Sequence, residues 1–513
     1  MTENQSPSPP LHERLLNTAR QHADRPALWV QGEYLSYRDL FGRAAALADR
    51  LRAREEPLCL VYCGKNATRY TAILAAVLAG KAFVPLCPTS PPAYCERVLK
   101  QLDGRIVAVV DSGDPDRDAR LRELMVPPVP VLDLPAAGSA ADAPDPARTD
   151  THQAADCDGA YVMFTSGSTG IPKAVMVTVG NLTGYLDGAM ELFEPTCADR
   201  FAQVNNFTFD LSVHDIFLPW AAGACVYALP DQAVYKLPAL VREHELTFWL
   251  SVPTTGQTLH DLGLLTPGAL PSLRRTLFCG EPLPRRLAES WHTANPDGRI
   301  YNVYGPTECT VAVTSFEWQD SYGDLPQTVP IGRPYPGQRV CVVGEDLATV
   351  APGQTGELCL QGSQLVPGYY GDPEQTAARF VELKDREGIW YRTGDQVAED
   401  DAYGLLYKGR RDDQLQVRGF RVERLEAETL IKNLLGTDSV AVVGWPVLDG
   451  ALVQGLVAFV ADVGLSTVEI RRRISRELPE HLWPSRIHLG PLPQNRSLKV
   501  DYPALRARLA EES

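Results

Sequence analysis

The chain has 513 residues, of which 44% are hydrophobic and 22% are charged, so it can bury a large core and is neither disordered nor fibrous as a whole. By length alone we expect about three domains. Its 49 Lys and Arg against 64 Asp and Glu give a net charge of −15, which argues against nucleic acid as the main partner because an acidic surface repels phosphate backbones.

The first hundred residues alternate between predicted helices and strands. The N-terminus lacks the basic start and apolar stretch of a signal peptide, and no apolar run is long enough to span a membrane, so we expect a soluble cytoplasmic protein. The predicted elements are a helix from Leu11, a hairpin of Ala27–Val30 and Glu33–Ser36 around Gly32, a helix at Tyr37–Arg52, a strand at Leu58–Tyr62, a helix at Ala72–Ala79 and a strand at Ala82–Leu86. This alternation favours an α/β fold with mostly parallel strands.

The pattern changes twice further along the chain. A Pro/Ala/Asp-rich stretch, Val126–Asp158, is either a linker or a surface loop, and we favour the loop because the α/β pattern resumes after it. Short β-like runs from Val329 to Tyr407 predict a small β-rich subdomain. The remaining segments, which predict a compact α+β unit, are a helix at Glu426–Leu434, strands at Val440–Val443 and Gly455–Ala461, and a helix at Thr467–Leu478.

Cysteine usage indicates reduced thiols. The 11 cysteines are scattered and contain no Cys-x-x-Cys pair, which argues against a disulfide framework and against a structural zinc site.

The segment Tyr161–Thr178 has the composition of a phosphate-binding loop. A strand-like run stops at Thr165 and is followed by Ser166, Gly167, Ser168, Thr169, Gly170, Pro172 and Lys173. Glycine amides, hydroxyls and a lysine can together surround a polyphosphate, although an ordinary Ser/Gly turn would have the same composition. A Walker loop is excluded because it needs four residues between its glycines and a Gly-Lys-Ser/Thr ending.

This segment resembles the phosphate-binding signature of the adenylate-forming superfamily, which contains acyl-CoA synthetases, luciferases and the adenylation domains of nonribosomal peptide synthesis. Further motifs of that superfamily follow in the family's order: NVYGPTE at Asn302–Glu308, YRTGD at Tyr391–Asp395, YKGRRDDQLQVRGFRVE at Tyr407–Glu423 and PLPQNRSLKVD at Pro491–Asp501. Alone, each of the later motifs would be a helix start, a turn, a solvated hairpin or a surface lysine. Together they extend the resemblance over about residues 11–505, nearly the whole chain.

The resemblance implies ATP and Mg²⁺ as cofactors and assigns roles to individual residues. Lys499, Glu308 and Thr165 are the implied catalytic residues, with Glu308 as the Mg²⁺ ligand, Asp412 as a hinge and Gly419 beside the pantetheine arm of a thiol acceptor. The implied nucleotide-binding residues are Thr165, Ser166, Gly167, Ser168, Thr169, Gly170, Lys173, Gly280, Glu281, Pro282, Asn302, Val303, Tyr304, Gly305, Thr307, Asp395, Tyr407, Arg410 and Lys499.

The resemblance also implies a division of the chain. Residues 1–411 would form a large N-terminal adenylation core of α/β sheets with a small β-barrel subdomain. Residues 412–513 would form a small mobile α+β domain that carries Lys499.

The implied acyl pocket points to an amino acid substrate. In Phe207–Phe217, FTFDLSVHDIF, Asp210 lies where amino-acid-activating relatives pair a carboxylate with the substrate ammonium; alternatively, Asp210 caps a helix beginning at Leu211. The other implied lining residues are Leu211, His214, Leu250, Leu277, Cys279, Val303, Val311 and Ala312. This mostly aliphatic set predicts a small neutral amino acid, with alanine favoured over proline, serine or valine, and resembles D-alanine–carrier-protein ligases most.

Some residues depart from the family pattern. Cys87, Ala174, Gln416 and the pair Ser497-Leu498 replace residues that are common in relatives, and the last pair changes the turn before Lys499. Gly436–Val440, GTDSV, resembles the phosphopantetheine site of a carrier protein, but it leads into a predicted strand rather than a helix, so we interpret it as a coincidence.

The predicted partner is a separate carrier protein with a phosphopantetheine thiol, because the chain stops soon after the Lys499 motif. We expect a monomer, and Arg471, Arg472, Arg473 and Arg476 form either a basic docking patch for an acidic carrier or a solvated helix face. Two other functions stay open: an acyl-CoA ligase for a plain carboxylic acid, and a non-catalytic carrier-binding paralogue. Asp210 argues against the first, and the intact Lys173, Glu308, Asp395 and Lys499 argue against the second.

Overall fold

A computed structural model describes most of the chain. The described residues are 9–132, 158–165, 172–230, 233–322, 325–410, 414–448, 452–461, 463–494 and 500–512. Much of the stretch Val126–Asp158, together with Asp412 and the Ser497-Leu498 turn, lies outside these ranges.

The helices of the described residues are α1 (Leu11–Gln21), α2 (Tyr37–Arg52), α3 (Ala67–Leu78), α4 (Pro92–Leu102), α5 (Pro115–Leu124), α6 (Val179–Phe193), α7 (Leu211–Ala222), α8 (Leu237–His244), α9 (Pro253–Asp261), α10 (Arg285–Ala294), α11 (Pro373–Arg379), α12 (Arg424–Leu435), α13 (Thr467–Glu477) and α14 (Tyr502–Glu511). None of them is long and apolar enough to cross a membrane.

The strands of the same residues are β1 (Pro26–Val30), β2 (Glu33–Ser36), β3 (Leu58–Cys63), β4 (Ala82–Pro85), β5 (Ile106–Asp111), β6 (Gly159–Thr165), β7 (Lys173–Thr178), β8 (Arg200–Gln203), β9 (Cys225–Ala228), β10 (Phe248–Ser251), β11 (Arg275–Phe278), β12 (Arg299–Tyr304), β13 (Thr314–Trp318), β14 (Arg333–Pro334), β15 (Gln338–Val343), β16 (Thr355–Gly362), β17 (Phe380–Leu383), β18 (Arg386–Asp400), β19 (Gly404–Arg410), β20 (Gln414–Val417), β21 (Phe420–Glu423), β22 (Val440–Gly444), β23 (Val447–Leu448), β24 (Leu452–Val453), β25 (Leu456–Val460) and β26 (Pro484–Leu489).

Two large sheets form the body of the molecule. One has the order β14-β13-β12-β11-β10-β8-β9-β1-β2, in which the run from β12 to β1 is parallel, and the other has the order β5-β3-β4-β6-β7, parallel from β5 to β6. The main hydrophobic core packs residues of both sheets around α2, α3, α6 and α7. The predicted α/β architecture is therefore present, and α7 carries its functional candidates inside this core.

The remaining strands form smaller sheets. β15-β16-β18-β17, with β19 added to β18, is an antiparallel sheet that matches the predicted β-rich subdomain. In the C-terminal part, β21-β20-β24-β23 and β22-β25-β26 accompany α12, α13 and α14, which is the predicted α+β unit.

Local signals explain where the elements begin and end. The helix predicted at Ala72 begins earlier, at Ala67, because the Asn66 side chain caps it by accepting from the Arg69 backbone N–H. Gly436 ends α12 in a left-handed conformation, and Val440 begins β22, which pairs with β25. The GTDSV segment therefore opens a strand, as expected for a coincidental match to a carrier-protein site.

Candidate active site

The phosphate-loop candidates lie at the end of an antiparallel strand pair. Thr165 in β6 is the register partner of Lys173 in β7, so the antiparallel pairing brings these two residues together. Ser166, Gly167, Ser168, Thr169 and Gly170 lie outside the described residues. The Lys173 side chain is 7% exposed, and its Nζ lies 3.7 Å from Oε1 of Glu423. Burial, helped by the nearby Arg421 guanidinium, lowers the pKa of Lys173. An anion bound at Lys173 would stabilise its charged form and so oppose this lowering of its pKa.

Tyr304, Asp395 and Arg410 meet in one buried hydrogen-bonded group. The Tyr304 hydroxyl donates to Oδ2 of Asp395 at 2.5 Å, and Nη1 of Arg410 donates to Oδ1 at 2.7 Å. Asp395 and Arg410 are register partners in β18 and β19, while Tyr304 ends β12 of the large sheet. The group therefore joins the β-rich subdomain to the large sheet, and it brings together three residues that the sequence assigned to the nucleotide.

Glu308, the implied Mg²⁺ ligand, is fully buried. Its Oε1 accepts from the Tyr369 hydroxyl at 2.6 Å, and its Oε2 lies 3.0 Å from Nη1 of Arg421. Burial alone would raise the pKa of Glu308, but the Arg421 guanidinium and the Tyr369 hydroxyl leave it below its ordinary value. The carboxylate is thus ionised and able to hold a cation.

The donor set at Glu308 suits a cation that brings ligands of its own. Among the described residues no three His, Cys, Asp or Glu side chains gather into a metal site. A magnesium ion there would take Glu308 as its carboxylate and complete its coordination with phosphate oxygens and water, which is its usual mode in nucleotide enzymes.

The residues around Tyr304 support the end of β12. The Asn302 amide donates to the carbonyl oxygens of Val329 and Pro330 at 3.0 and 2.9 Å, so it orders a neighbouring loop. A Cβ at Gly305 would lie 2.6 Å from Cα of Ala312, so a larger residue would displace the backbone there. Val303 is buried in the main core, and Tyr407 packs against that core. Thr307 lines the large cavity described below.

Glu281 connects the large sheet to the C-terminal part. Its Oε2 accepts from the backbone N–H and hydroxyl of Thr254, and its Oε1 accepts from the Gly419 N–H at 2.6 Å. Burial raises the pKa of Glu281 to about 7. Gly419 has φ +81°, and a Cβ on it would lie 2.2 Å from Cγ1 of Val252, so only glycine fits. The neighbouring candidates Gly280 and Pro282 flank Glu281. A Cβ added to Gly280 would lie 3.7 Å from the Gly419 carbonyl oxygen.

Asp210 is a buried carboxylate with an unused oxygen. It directly precedes α7, but its side chain makes no capping hydrogen bond, so the helix-cap interpretation is wrong. The residue is 4% exposed, and Oδ2 is buried without a hydrogen-bond partner. Burial raises the pKa of Asp210 to about 7 against the opposing effects of the Thr307 hydroxyl and the Val311 backbone. The site is therefore prepared for a cationic partner.

The other pocket candidates are buried in the main core. Those of apolar character are Leu211, Leu250, Leu277, Cys279, Val303, Val311 and Ala312. Burial, with a smaller effect of the Asp210 charge, raises the pKa of the Cys279 thiol. The Tyr185 hydroxyl and Nδ1 of His214 are hydrogen-bonded at 2.7 Å. Burial lowers the pKa of His214 to about 3, so the imidazole is neutral.

A cavity of about 910 Å³ lies between the end of β6 and the C-terminal part. Thr165, Thr307, Phe209, Phe420 and Arg421 line it. Further along, its lining also includes several guanidinium groups, those of Arg97, Arg117, Arg120, Arg418 and Arg476. The cavity therefore combines access to the Glu308 region with a strongly basic lining in an acidic protein.

Three residues in this site were missed by sequence reasoning. Arg421 and Glu423 lie within the RGFRVE segment, whose motif match drew attention to Gly419 only, and its charges read equally well as a solvated hairpin. Tyr369 follows β16 in a loop with no motif signal. The predicted Lys499 and Asp412 lie outside the described residues.

Comparison with known proteins supplies the family. The sequence profile described as "AMP-binding enzyme" matches residues 15–370. The chain belongs to the AMP-binding enzyme family. The resemblance to the adenylate-forming superfamily is thereby confirmed, together with the prediction of an adenylating, AMP-forming ligase that uses ATP.

Individual relatives match over nearly the whole chain. An L-proline–L-prolyl-carrier protein ligase of Pseudomonas fluorescens is 32% identical over 96% of this chain and 98% of that protein. A D-alanine–D-alanyl carrier protein ligase of Listeria welshimeri is 29% identical over 96% and 98%. The Vibrio cholerae adenylation domain AlmE, solved with glycyl-adenosine-5′-phosphate, has a TM-score of 0.87 and 30% identity over 100% of this chain and 99% of that one. The predicted adenylation-domain fold is confirmed.

Proposed function

We propose that this AMP-binding enzyme activates a small neutral amino acid with ATP and passes it to the phosphopantetheine thiol of a separate carrier protein. The observation that carries the amino acid is the buried, unpartnered Oδ2 of Asp210. The ammonium group of an amino acid would donate a hydrogen bond to this oxygen and compensate its negative charge. A carboxylic acid without an amino group would do neither.

The pocket residues support a small, neutral side chain. Around Asp210 the candidates are aliphatic or thiol groups, and His214 is neutral. None of them is a second carboxylate for a basic substrate or an arginine for an acidic one. Alanine stays our leading substrate, followed by proline, serine or valine; the named relatives act on L-proline and D-alanine.

In the first step, the amino acid carboxylate attacks the α-phosphorus of ATP and pyrophosphate leaves. Tyr304, Asp395 and Arg410 would hold the ribose, since Asp395 can accept from both sugar hydroxyls. The segment from Thr165 to Lys173 would hold the phosphates. Lys499 would stabilise the charge that develops on the phosphoryl oxygens. Mg²⁺ on Glu308 would neutralise the departing phosphates when bound.

In the second step, the carrier thiolate attacks the adenylate carbonyl and AMP leaves. We propose that residues 412–513 rotate about Asp412 relative to residues 1–411. This rotation would withdraw Lys499 from the adenylate and present Gly419 and the basic cavity to the pantetheine arm of the carrier. The arginines of this cavity and of α13 would attract an acidic carrier despite the net charge of −15.

The test is pyrophosphate exchange across a panel of D- and L-amino acids and matching acids without the amino group. We expect exchange with small neutral amino acids, loss of exchange in Lys499→Ala, and thioester formation on an added holo-carrier protein. Exchange with plain acids and thioester formation on coenzyme A would support an acyl-CoA ligase instead. No exchange with any acid would support a non-catalytic paralogue.

Amino acid binding should depend on pH through Asp210. Its pKa of about 7 is raised by burial, so below that pH the free enzyme holds a proton that must leave before an ammonium can bind. We expect KM for the amino acid to rise by about tenfold per pH unit as pH falls from about 7 toward 5.5, and to level off above 7. Because Glu281 has a similar pKa, the profile should be compared with Asp210→Asn, in which this dependence disappears. A profile that persists in Asp210→Asn would assign it elsewhere.

A further inference from the structure

Strand β21 carries two opposite charges that contact the proposed ligands of magnesium and phosphate. Its positive charge contacts Glu308, and its negative charge contacts Lys173. Arg421 and Glu423 are two residues apart, so their side chains leave the same face of the strand. Nη1 of Arg421 lies 3.0 and 3.3 Å from the two oxygens of Glu308, and Oε1 of Glu423 lies 3.7 Å from Nζ of Lys173. Both contacts are nearly buried, with Arg421 14% and Glu423 12% exposed.

These contacts exclude the ligands that the proposed first step requires. The guanidinium approaches both oxygens of Glu308, so a metal ion cannot approach them from the same side. The Glu423 carboxylate likewise lies 3.7 Å from Nζ of Lys173, where its charge would repel a phosphate that approaches the same ammonium. Loss of magnesium pyrophosphate removes one cation from Glu308 and one anion from Lys173, and β21 returns a charge of the same sign to each.

The same strand also lines the route to the adenylate. Gly419, just before β21, donates to Glu281 of the large sheet, and Phe420 and Arg421 line the large cavity. Phe420 stacks on His481, whose ring centroid lies 4.7 Å away, and contacts Phe209 at 5.8 Å. In the position in which β21 contacts Glu308 and Lys173, it therefore also forms part of the cavity wall.

We propose that Arg421 and Glu423 replace magnesium and pyrophosphate after the adenylate forms. Docking of β21 then requires the release of pyrophosphate, and docked β21 prevents pyrophosphate from binding again. This inference rests on the proposed function for the identity of the ligands at Glu308 and Lys173. Arg421 then keeps a positive charge on Glu308 during thiol transfer, and it is a positioning residue for the docked state.

The first experiment measures equilibrium binding of Mg·ATP to the full chain without an amino acid. In the wild type, the docked state competes with Mg·ATP, so the apparent dissociation constant is raised by the docked fraction. We expect Arg421→Gln and Glu423→Gln each to bind Mg·ATP about fivefold to tenfold more tightly than the wild type. Arg486→Gln removes an exposed charge of the same part of the chain and should bind as the wild type does.

The second experiment follows single-turnover thiol transfer from preformed adenylate while magnesium pyrophosphate is added. In the wild type, added magnesium pyrophosphate should slow the transfer by displacing β21. Because it also re-forms ATP from the adenylate, the ATP formed is measured in the same samples and subtracted. In Arg421→Gln the transfer should fall by about two orders of magnitude in its absence, with partial recovery in Arg421→Lys, since lysine keeps the charge but not the two-point contact.

The outcomes separate this proposal from the proposed function. Mg·ATP affinities that are unchanged or weaker in both Arg421→Gln and Glu423→Gln, in variants with wild-type melting temperatures, would overturn the exchange of ion pairs. If the wild type binds Mg·ATP but no amino acid supports exchange, the proposed substrate fails while the binding comparison still tests β21. A wild type that binds no Mg·ATP would overturn both.

Discussion

Asp210→Asn is expected to lower kcat/KM for the amino acid in pyrophosphate exchange by about three orders of magnitude. The variant keeps the size and one acceptor of the side chain but removes its charge, so a buried substrate ammonium loses its counter-ion, which costs about 3–5 kcal/mol. Because Asp210 is 4% exposed, water cannot replace the lost interaction. The loss should be measured from initial exchange rates at saturating ATP, where KM for ATP stays near its wild-type value.

A neighbouring aspartate provides the matched control. Asp215 is also buried in α7, accepts from the Asn205 amide at 2.8 Å, and has its pKa raised to about 8 by burial. Burial therefore favours the neutral form of Asp215, and Asp215→Asn keeps the shape of the side chain. We expect exchange by Asp215→Asn to stay within about threefold of the wild type. Equal losses in Asp210→Asn and Asp215→Asn would show that Asp210 has no special role.

Asp395→Ala is expected to lower the free energy of unfolding by about 3 kcal/mol and to abolish measurable nucleotide binding. Asp395 and Arg410 are 9% and 8% exposed, and removal of the carboxylate leaves a buried guanidinium and the Tyr304 hydroxyl without this acceptor. Denaturant unfolding measures the first effect, and equilibrium binding of ATP measures the second. Asp395→Asn, which keeps the acceptor oxygen but not the charge, should lose less stability.

An exposed ion pair serves as the comparison for stability. Arg38 and Asp24 are 49% and 86% exposed at 2.9 Å, so water already solvates both charges. Asp24→Ala should therefore cause no measurable loss of stability. If Asp395→Ala unfolds at the same denaturant concentration as Asp24→Ala, the group around Asp395 does not stabilise the fold.

Elements whose signals are local were predictable to within a few residues. Tyr37–Arg52 is the helix that its periodicity predicts, because its apolar face lies within the segment and the Ser36 capping box lies at its start. The helix predicted at Ala72 begins five residues earlier, since a single capping contact from Asn66 decides where it starts. The site motifs were found for the same reason: Thr165 to Lys173 and Asn302 to Glu308 are short segments whose composition suits the ligand.

Periodicity in the sequence was sufficient for the α/β class, and the motifs and their order were sufficient for the family resemblance. That resemblance in turn implied the candidates Asp210, Glu308 and Asp395. The folded structure alone shows that Asp210 has an unused oxygen and that Glu308 meets Arg421, a residue 113 positions away. Burial and long-range pairing depend on how separate sheets pack, and no local pattern encodes that packing. The negative net charge of the chain thus argued against nucleic acid as the main partner. Tertiary contacts determine which carboxylates the buried arginine side chains meet.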